Sequence, residues 1–364
     1  MRTSALVVLI LAGLHAPAFA AEIDGKKDKV FVGYLYGAPR DVNYSLYTHL
    51  CHAFVTAGPD GVINKGRGAP SRELTTQAHR AGVKVLISLG GWGWDKQFAE
   101  IVSNPEAEAR YVDGVVKMID EFDYDGLDLD WEYPDTAKEV EGFERLTRTL
   151  RGRIDAIGKA KNRSMNLTMA AAANKGTLSW LKKDFLLENM DWVNVMTYDY
   201  AGAWSSNAGH NSPLFPSKKS PQSIETTMSY LLDERGIPAD RLALGLPLYG
   251  RGFNVAKPYD SIKDLPDKRV VSLTYRQVAD KENQGWKRSR DDETKAPWLT
   301  APDGSMVVGY DDAESLRLKT EWAMSRGLRG VFFWQIAQDR MPDGGNPLQE
   351  AAHQAWEAGG GKKS

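Results

Sequence analysis

Cysteine is nearly absent: the chain holds one, Cys51, inside the apolar run THLCHAFV. A lone thiol closes no intramolecular disulfide, and its setting makes it a buried structural residue rather than a nucleophile. Clustered positive charge is missing as well. The 46 Lys and Arg are scattered among 48 Asp and Glu, for a formal net charge of −2, so a polyanion finds no basic stripe and nucleic acid is excluded as a partner. A dinucleotide fingerprint is lacking too, because the glycines of LGGWGW, after the third apolar run, have the wrong spacing. The longest apolar run is too short to span a bilayer, which takes ~20 residues. In MRTSALVVLILAGLHAPAFA, Arg2 precedes Ala5 to Leu14 and then a small-residue site, Ala18-Phe19-Ala20. That is the pattern of a signal peptide over residues 1–20, and it predicts a secreted or periplasmic protein with no membrane attachment after cleavage. An exported chain without disulfides must rely on its core.

The chain has the material for one. It has 364 residues, 42% hydrophobic and 26% charged, an ordinary globular composition. Eight apolar, β-rich runs recur: KVFVGYLYG, THLCHAFV, VKVLISLGG, DGLDLDWEY, NLTMAAAA, WVNVMTYDY, RLALGLPLYG and GVFFWQI. Helical patterns separate most of them, over 71–81, 106–122, 137–156, 180–189, 223–234 and 313–326, and a last one covers 347–356. Strands alternating with helices imply parallel pairing through crossovers, and eight such units predict an α/β fold, a closed eight-stranded parallel β/α (TIM) barrel over 21–358. A doubly wound open sheet is the structural alternative. The stretch after the seventh strand is too long for a plain loop and carries the strand-like pieces VVSLTY and SMVVGY with a helical piece near Tyr275. It reads as a small α+β insertion, 254–309, between strand 7 and its following helix. GGGKKS closes the chain as an expected disordered tail, 359–364.

The fourth run holds the chemistry. In the extended stretch DGLDLDWEYP, Asp128, Asp130 and Glu132 share one face and Leu127, Leu129 and Trp131 the other. The active sites of such barrels lie at the C-terminal strand ends, where Glu132 falls. Three acids on one face cannot all ionise cheaply, so one should share a proton, one should ionise, and a Glu with a raised pKa is a general acid. Two other readings fit less well. A solvated edge strand does not explain Leu, Leu and Trp on the opposite face, and a calcium loop requires a glycine turn that this regular strand lacks. His49, His52 and His210 form no ligand set, so neither a metal nor a cofactor is expected.

The spacing of Asp125, Asp128, Asp130 and Glu132 resembles the D-x-x-D-x-D-x-E motif of the family 18 glycoside hydrolases, the chitinase family. Ser88-Leu89-Gly90-Gly91 is similar to that family's S-x-G-G, and Met196-Thr197-Tyr198-Asp199 to its M-x-Y-D. GLPLYGRGF from Gly245 to Phe253, and Trp334, resemble its seventh and eighth strands. The resemblance implies retaining hydrolysis in which the substrate supplies the nucleophile. On it, Glu132 is the acid, Asp130 orients the 2-acetamido group, Asp128 shares a proton with Asp130, and Tyr198 donates to the acetamido oxygen beside Asp199. Trp334 is implied as the floor of subsite −1, with Tyr34, Met196, Tyr249 and Arg251 around it. Trp92, Trp94 and Trp204 follow strand ends, where leaving-group sugars would stack, whereas Trp131 has outward parity and packs against helices. The insertion resembles a module that walls a deep groove in a subset of these enzymes.

The expected substrate is β-1,4-linked N-acetylglucosamine in chitin and its oligosaccharides, bound by a monomer. The alternatives are an endo-β-N-acetylglucosaminidase or peptidoglycan hydrolase using the same acid and acetamide, and a non-catalytic chitin-binding lectin on the same scaffold, which the presence of Glu132 disfavours.

Overall fold

The computed structural model describes residues 28–263, 265 and 270–363; the expected signal peptide, 1–20, lies outside them. Eight strands form at the eight apolar runs: β1 Val30–Tyr36, β2 His49–Ala57, β3 Lys84–Gly90, β4 Gly126–Asp130, β5 Asn166–Ala171, β6 Trp192–Val195, β7 Leu242–Pro247 and β8 Gly330–Trp334. Each pairs in parallel with the next, and β8 pairs with β1, so the sheet closes and the open alternative is excluded. Closure is tight at the strand starts. A Cβ on Gly126, whose φ is +148°, would meet Asn166 O at 1.9 Å, so only glycine can open β4 there.

Side-chain parity sorts β4 as the sequence predicts. Leu127, Leu129 and Trp131 are buried in the layer between barrel and helices. Trp131 stacks on Phe98 with ring centroids 5.1 Å apart and meets Phe143 edge-on at 6.2 Å. Burying each leucine contributes ~1.5–3 kcal/mol, which anchors the strand so that its other face points at the barrel axis. Phe143 belongs to the helix Ala137–Lys161, which starts on a Thr136/Glu139 capping box and runs past its expected end to Asn162, at φ +51°. Phe98 belongs to Asp95–Ser103, a helix the sequence patterns did not single out. Its Trp94 cap makes no side-chain hydrogen bond, so the usual start signal is missing. The helix expected over 180–189 is shortened to Lys183–Asn189, and the one expected over 223–234 changes from α to π winding at Tyr230.

The long stretch after β7 folds into an antiparallel sheet, ordered Val270–Thr274, Tyr249–Phe253, Val307–Gly309, Ala296–Thr300 and Lys287–Asp291, with the helix Tyr275–Asn283. Its first strand begins at Tyr249, ahead of the expected start at 254, because the chain leaves β7 at Pro247 and pairs at once with Val270–Thr274. This start hands Tyr249 and Arg251 from the inserted sheet to the barrel mouth. At the other end of the chain, where a disordered tail is expected, Gly361 N–H donates to Trp356 O at 2.9 Å and Lys363 Nζ to Tyr44 O at 2.6 Å, so residues 359–363 fold back on the protein.

Candidate active site

The register of β4 sets the deepest part of the site. Asp128 lies opposite Ser88 of β3 and Thr168 of β5. Ser88 Oγ donates to Asp128 Oδ2 at 2.8 Å and Thr168 Oγ1 to Oδ1 at 2.6 Å. Tyr34 of β1 adds a hydroxyl to Oδ2 at 2.9 Å, and Asn194 of β6 an amide to Oδ1 at 3.3 Å. Asn194 is itself braced, accepting from Trp192 Nε1 at 2.9 Å and donating to Tyr34 Oη at 3.0 Å. Asp128 is fully buried, and burial raises its pKa while the four donors pull it back part of the way. Four donors on two oxygens favour the carboxylate form.

One turn of the pleat nearer the mouth, Asp130 has the opposite setting. It is buried, its Oδ1 has no hydrogen-bond partner, and its carboxyl is pushed well above the usual range by burial, then by the charges of Glu132 and Asp128. An acid so placed gives up its proton less readily than a free aspartic acid. Glu132 lies just past the strand end, half-buried, with Oε2 accepting from Tyr133 Oη at 3.0 Å. Burial raises its pKa to about 7, with Asp199 adding to the rise and the Tyr133 hydrogen bond opposing it.

Tyr198 and Asp199 follow β6. Tyr198 is buried edge-on to Tyr249 and Phe332, each at 6.2 Å, and burial raises its hydroxyl well above the usual value, so it stays a donor. Asp199, at φ +58°, has its N–H held by Asn211 Oδ1 at 3.2 Å. Its Oδ1 accepts from Tyr249 Oη at 2.8 Å and from Arg251 Nε and Nη2 at 2.9 and 2.7 Å. Trp334 stacks on Phe54 at 5.5 Å and meets Tyr34 edge-on at 6.0 Å. Trp92 and Trp204 are 80% and 64% exposed, against 3% for Trp131, so both rings reach solvent at the rim, with Arg251 over the Trp204 ring at 5.7 Å.

Eleven of the twelve expected site residues line one cleft of about 1200 Å³: Asp130, Glu132, Tyr198 and Asp199, with Tyr34, Trp92, Met196, Trp204, Tyr249, Arg251 and Trp334. The twelfth, Asp128, lies beneath it, and Trp94 stands apart at the start of its helix. The cleft is larger than a pocket for one small ligand and suits an extended molecule with flat apolar faces. Sequence reasoning missed Thr168, Asn194, Tyr133 and Phe54. Asn194 carried a usable signal, a lone polar residue between Val193 and Val195 in a buried run. Among the described residues no group of three His, Cys, Asp or Glu is arranged to hold a metal ion. The geometry supplies a proton donor near neutral pH and a buried acid beside it, and the one remaining carboxylate, Asp199, is occupied by three donors on one oxygen.

Residues 26–339 match the family described as glycosyl hydrolases family 18. Chitinase 1 of Aphanocladium album is 26% identical over 349 residues, covering 87% of this chain and 81% of that one. A class V chitinase of Arabidopsis thaliana is 30% identical over 334 residues, covering 87% and 86%. Among solved structures, a mutant chitinase from Cycas revoluta in complex with (GlcNAc)4 superposes with a TM-score of 0.78 at 27% identity, covering 90% of this chain and 99% of its own. With a matched region that runs from before β1 through β8, and a closed barrel carrying the acid-rich strand at its mouth, the chain belongs to glycosyl hydrolase family 18 and is a glycoside hydrolase.

Proposed function

We propose that this protein hydrolyses β-1,4-linked N-acetylglucosamine in chitin and chito-oligosaccharides, with retention and with the substrate's acetamide as nucleophile. One observation carries the reading: Glu132, with a pKa raised to about 7, stands beside a buried and unpartnered Asp130 oxygen in a cleft whose other acid, Asp199, is tied through one oxygen to Tyr249 and Arg251. The Cycas revoluta relative bound to (GlcNAc)4 supports the substrate class.

The steps follow from the groups. Glu132 gives its proton to the glycosidic oxygen as the bond from the anomeric carbon to that oxygen breaks. The acetamido carbonyl oxygen forms the new bond to the anomeric carbon, giving an oxazolinium ion; a well-oriented intramolecular group can act at an effective concentration of ~10⁵ M or more. Asp130 leaves the proton it shares with Asp128 on that residue, turns as a carboxylate to the acetamido N–H and stabilises the charge that develops on the nitrogen. Asp128, fixed in place by its four partners, keeps that proton while Asp130 is turned away and gives it back when Asp130 returns. Tyr198 donates to the acetamido oxygen. Glu132, now a carboxylate, takes a proton from water as its oxygen attacks the anomeric carbon, reopening the ring with net retention. Trp334 forms the floor under the reacting sugar, with Trp92 and Trp204 offering stacking faces along the same cleft.

The protein is proposed to act as a monomer outside the cytoplasm, delivered by residues 1–20. No described helix is long and apolar enough to cross a membrane. Incubating the protein with N-acetylglucosamine hexamer and with its fully deacetylated counterpart, followed by mass spectrometry, tests the mechanism. Cleavage of the acetylated chain alone is expected. Cleavage of both overturns substrate assistance, cleavage of neither moves the substrate to glycoprotein glycans or peptidoglycan, and tight binding without turnover indicates a lectin.

A further inference from the structure

Between β6 and β7 the chain crosses the barrel mouth and joins the inserted sheet through its backbone. Ala208 N–H donates to Asp260 O at 2.9 Å, Ile262 N–H to Ser206 O at 3.0 Å, and Leu214 N–H to Thr294 O at 3.0 Å. Asn207 and Ser261 form an antiparallel bridge. Ala201 and Ala208 of the loop share one apolar cluster with Phe253, Ile262, Trp298 and Val307. The contact is close: a Cβ on Gly309 would meet Gly209 O at 2.7 Å. Loop and sheet therefore share one apolar cluster along their seam.

His210 sits at the centre of this seam, 1% exposed. Its Nε2 lies 3.3 Å from Asp291 Oδ2, the oxygen that also accepts the Tyr259 hydroxyl at 2.5 Å. Its ring lies against Trp298 at 4.4 Å. The other Asp291 oxygen accepts the N–H groups of Glu293 and Thr294 at 3.0 and 3.2 Å, which fixes the carboxylate on the sheet. The next residue in the chain grips the reaction centre instead. Asn211 Oδ1 accepts from Asp199 N–H at 3.2 Å, and its Nδ2 donates to Tyr249 O at 3.1 Å. Two consecutive buried residues thus face different partners: His210 meets the sheet, while Asn211, held by its own two hydrogen bonds, stays with Asp199 and Tyr249.

We propose that Asp291, acting through His210 and Tyr259, is a positioning residue for chain-length recognition: it registers the inserted sheet on the β6–β7 loop, so that the wall shared by Trp204, Asn207 and Ser272 meets a long substrate as one body. The proposal takes its substrate from the chitin reading. A short aryl chitobioside depends on Glu132 and Asp130, which β4 positions, whereas a hexamer also depends on the wall. Losing a charged hydrogen bond at the seam therefore weakens the long substrate selectively.

The test compares the wild-type full chain with Asp291→Ala and the milder Tyr259→Phe on a fluorogenic chitobioside and on N-acetylglucosamine hexamer, with backbone hydrogen exchange of residues 206–214 and 287–300. For Asp291→Ala, kcat/KM on the hexamer is expected to fall about tenfold through KM, while the chitobioside stays within about twofold. Exchange should rise in both segments together. Equal loss on both substrates, loss on neither, or faster exchange in one segment only overturns the proposal. Should Asp291→Ala fail to fold, Tyr259→Phe must show the same split at about threefold. A wild-type protein that cleaves neither chain overturns the chitin reading instead, and the exchange result still decides whether loop and sheet are one body.

Discussion

Asp125 and Asp130 belong to the same ten-residue stretch, yet they are built into opposite surroundings. Asp125, at the foot of β4, accepts from Val85 N–H at 2.8 Å, from His79 Nε2 at 2.7 Å, and pairs with Arg163 at 3.2 Å. Asp130, at the mouth, has a buried oxygen with no partner and two acids for neighbours. Partners rather than residue type decide what a buried carboxylate does. Satisfied by donors and cations, it fixes the strand; left short of them, it keeps a proton and becomes available for chemistry.

Removing the chemistry should have the largest effect. Glu132→Gln is expected to lower kcat on N-acetylglucosamine hexamer by about 10²–10⁴ or more, while calorimetry shows hexamer affinity changed by only a few fold. The same change should stabilise the fold above neutral pH. A Glu whose folded pKa is raised from about 4.3 to about 7 binds its proton more tightly when folded, so stability is lost as pH climbs through that window. At pH 8, Glu132→Gln should therefore resist urea better than wild type, by about 1–3 kcal/mol. An unaltered rate would break the comparison at the mouth.

Asp125→Ala tests the other end and should have the opposite signature. It strands the donors of Val85, His79 and Arg163, and a lost hydrogen bond to a charged group costs about 1.5–3 kcal/mol. The urea midpoint should fall while kcat per folded molecule holds. A large loss of kcat at an unchanged midpoint would place Asp125 with the reacting acids.

The contrast was half visible in the sequence. The parity of DGLDLDWEYP separates the acid face from the Leu-Leu-Trp face without any tertiary information, and the alternation of apolar runs with helical patterns is enough to number the barrel strands. Which acid is satisfied could not be read, because the deciding donors come from other strands. Ser88, Thr168, Tyr34 and Asn194 lie between 40 and 94 residues from Asp128 in the chain. The inserted sheet was harder still. Its edge strand Lys287–Asp291 reads KRSRD, with no apolar residue to mark it, and exists because it pairs with Ala296–Thr300. Asp291 and His210 lie 81 residues apart, so the seam between loop and sheet has no local signature.

The pH profile sharpens the view of the mouth. Because Glu132 must enter the reaction protonated, kcat/KM should be level below and fall above a pH of about 7. Tyr133 donates to Glu132 at 3.0 Å and so favours the ionised acid. Tyr133→Phe should raise the pKa and move the falling limb to higher pH, and a limb that moves down or stays put would remove Tyr133 from the control of the acid.

The smallest expected effect lies at the foot of the strand. The hydrogen bond to Asp125 raises the pKa of His79, partial burial opposes the rise, and the charges of Asp125 and Asp123 reinforce it while Arg163 weakens it. A histidine whose folded pKa is raised stabilises fully below its unfolded value, about 6.5, and the gain is lost as pH rises through the folded value. Because the ring is partly exposed, solvent screening limits the contribution to about 0.2–0.5 kcal/mol. Wild type should thus lose a little stability from pH 6 upward in a way that His79→Gln does not, and the two kcat/KM profiles should superimpose. Separate profiles would mean that the foot of β4 communicates with its mouth, and the division between the acid that holds the strand and the acids that react would then fail.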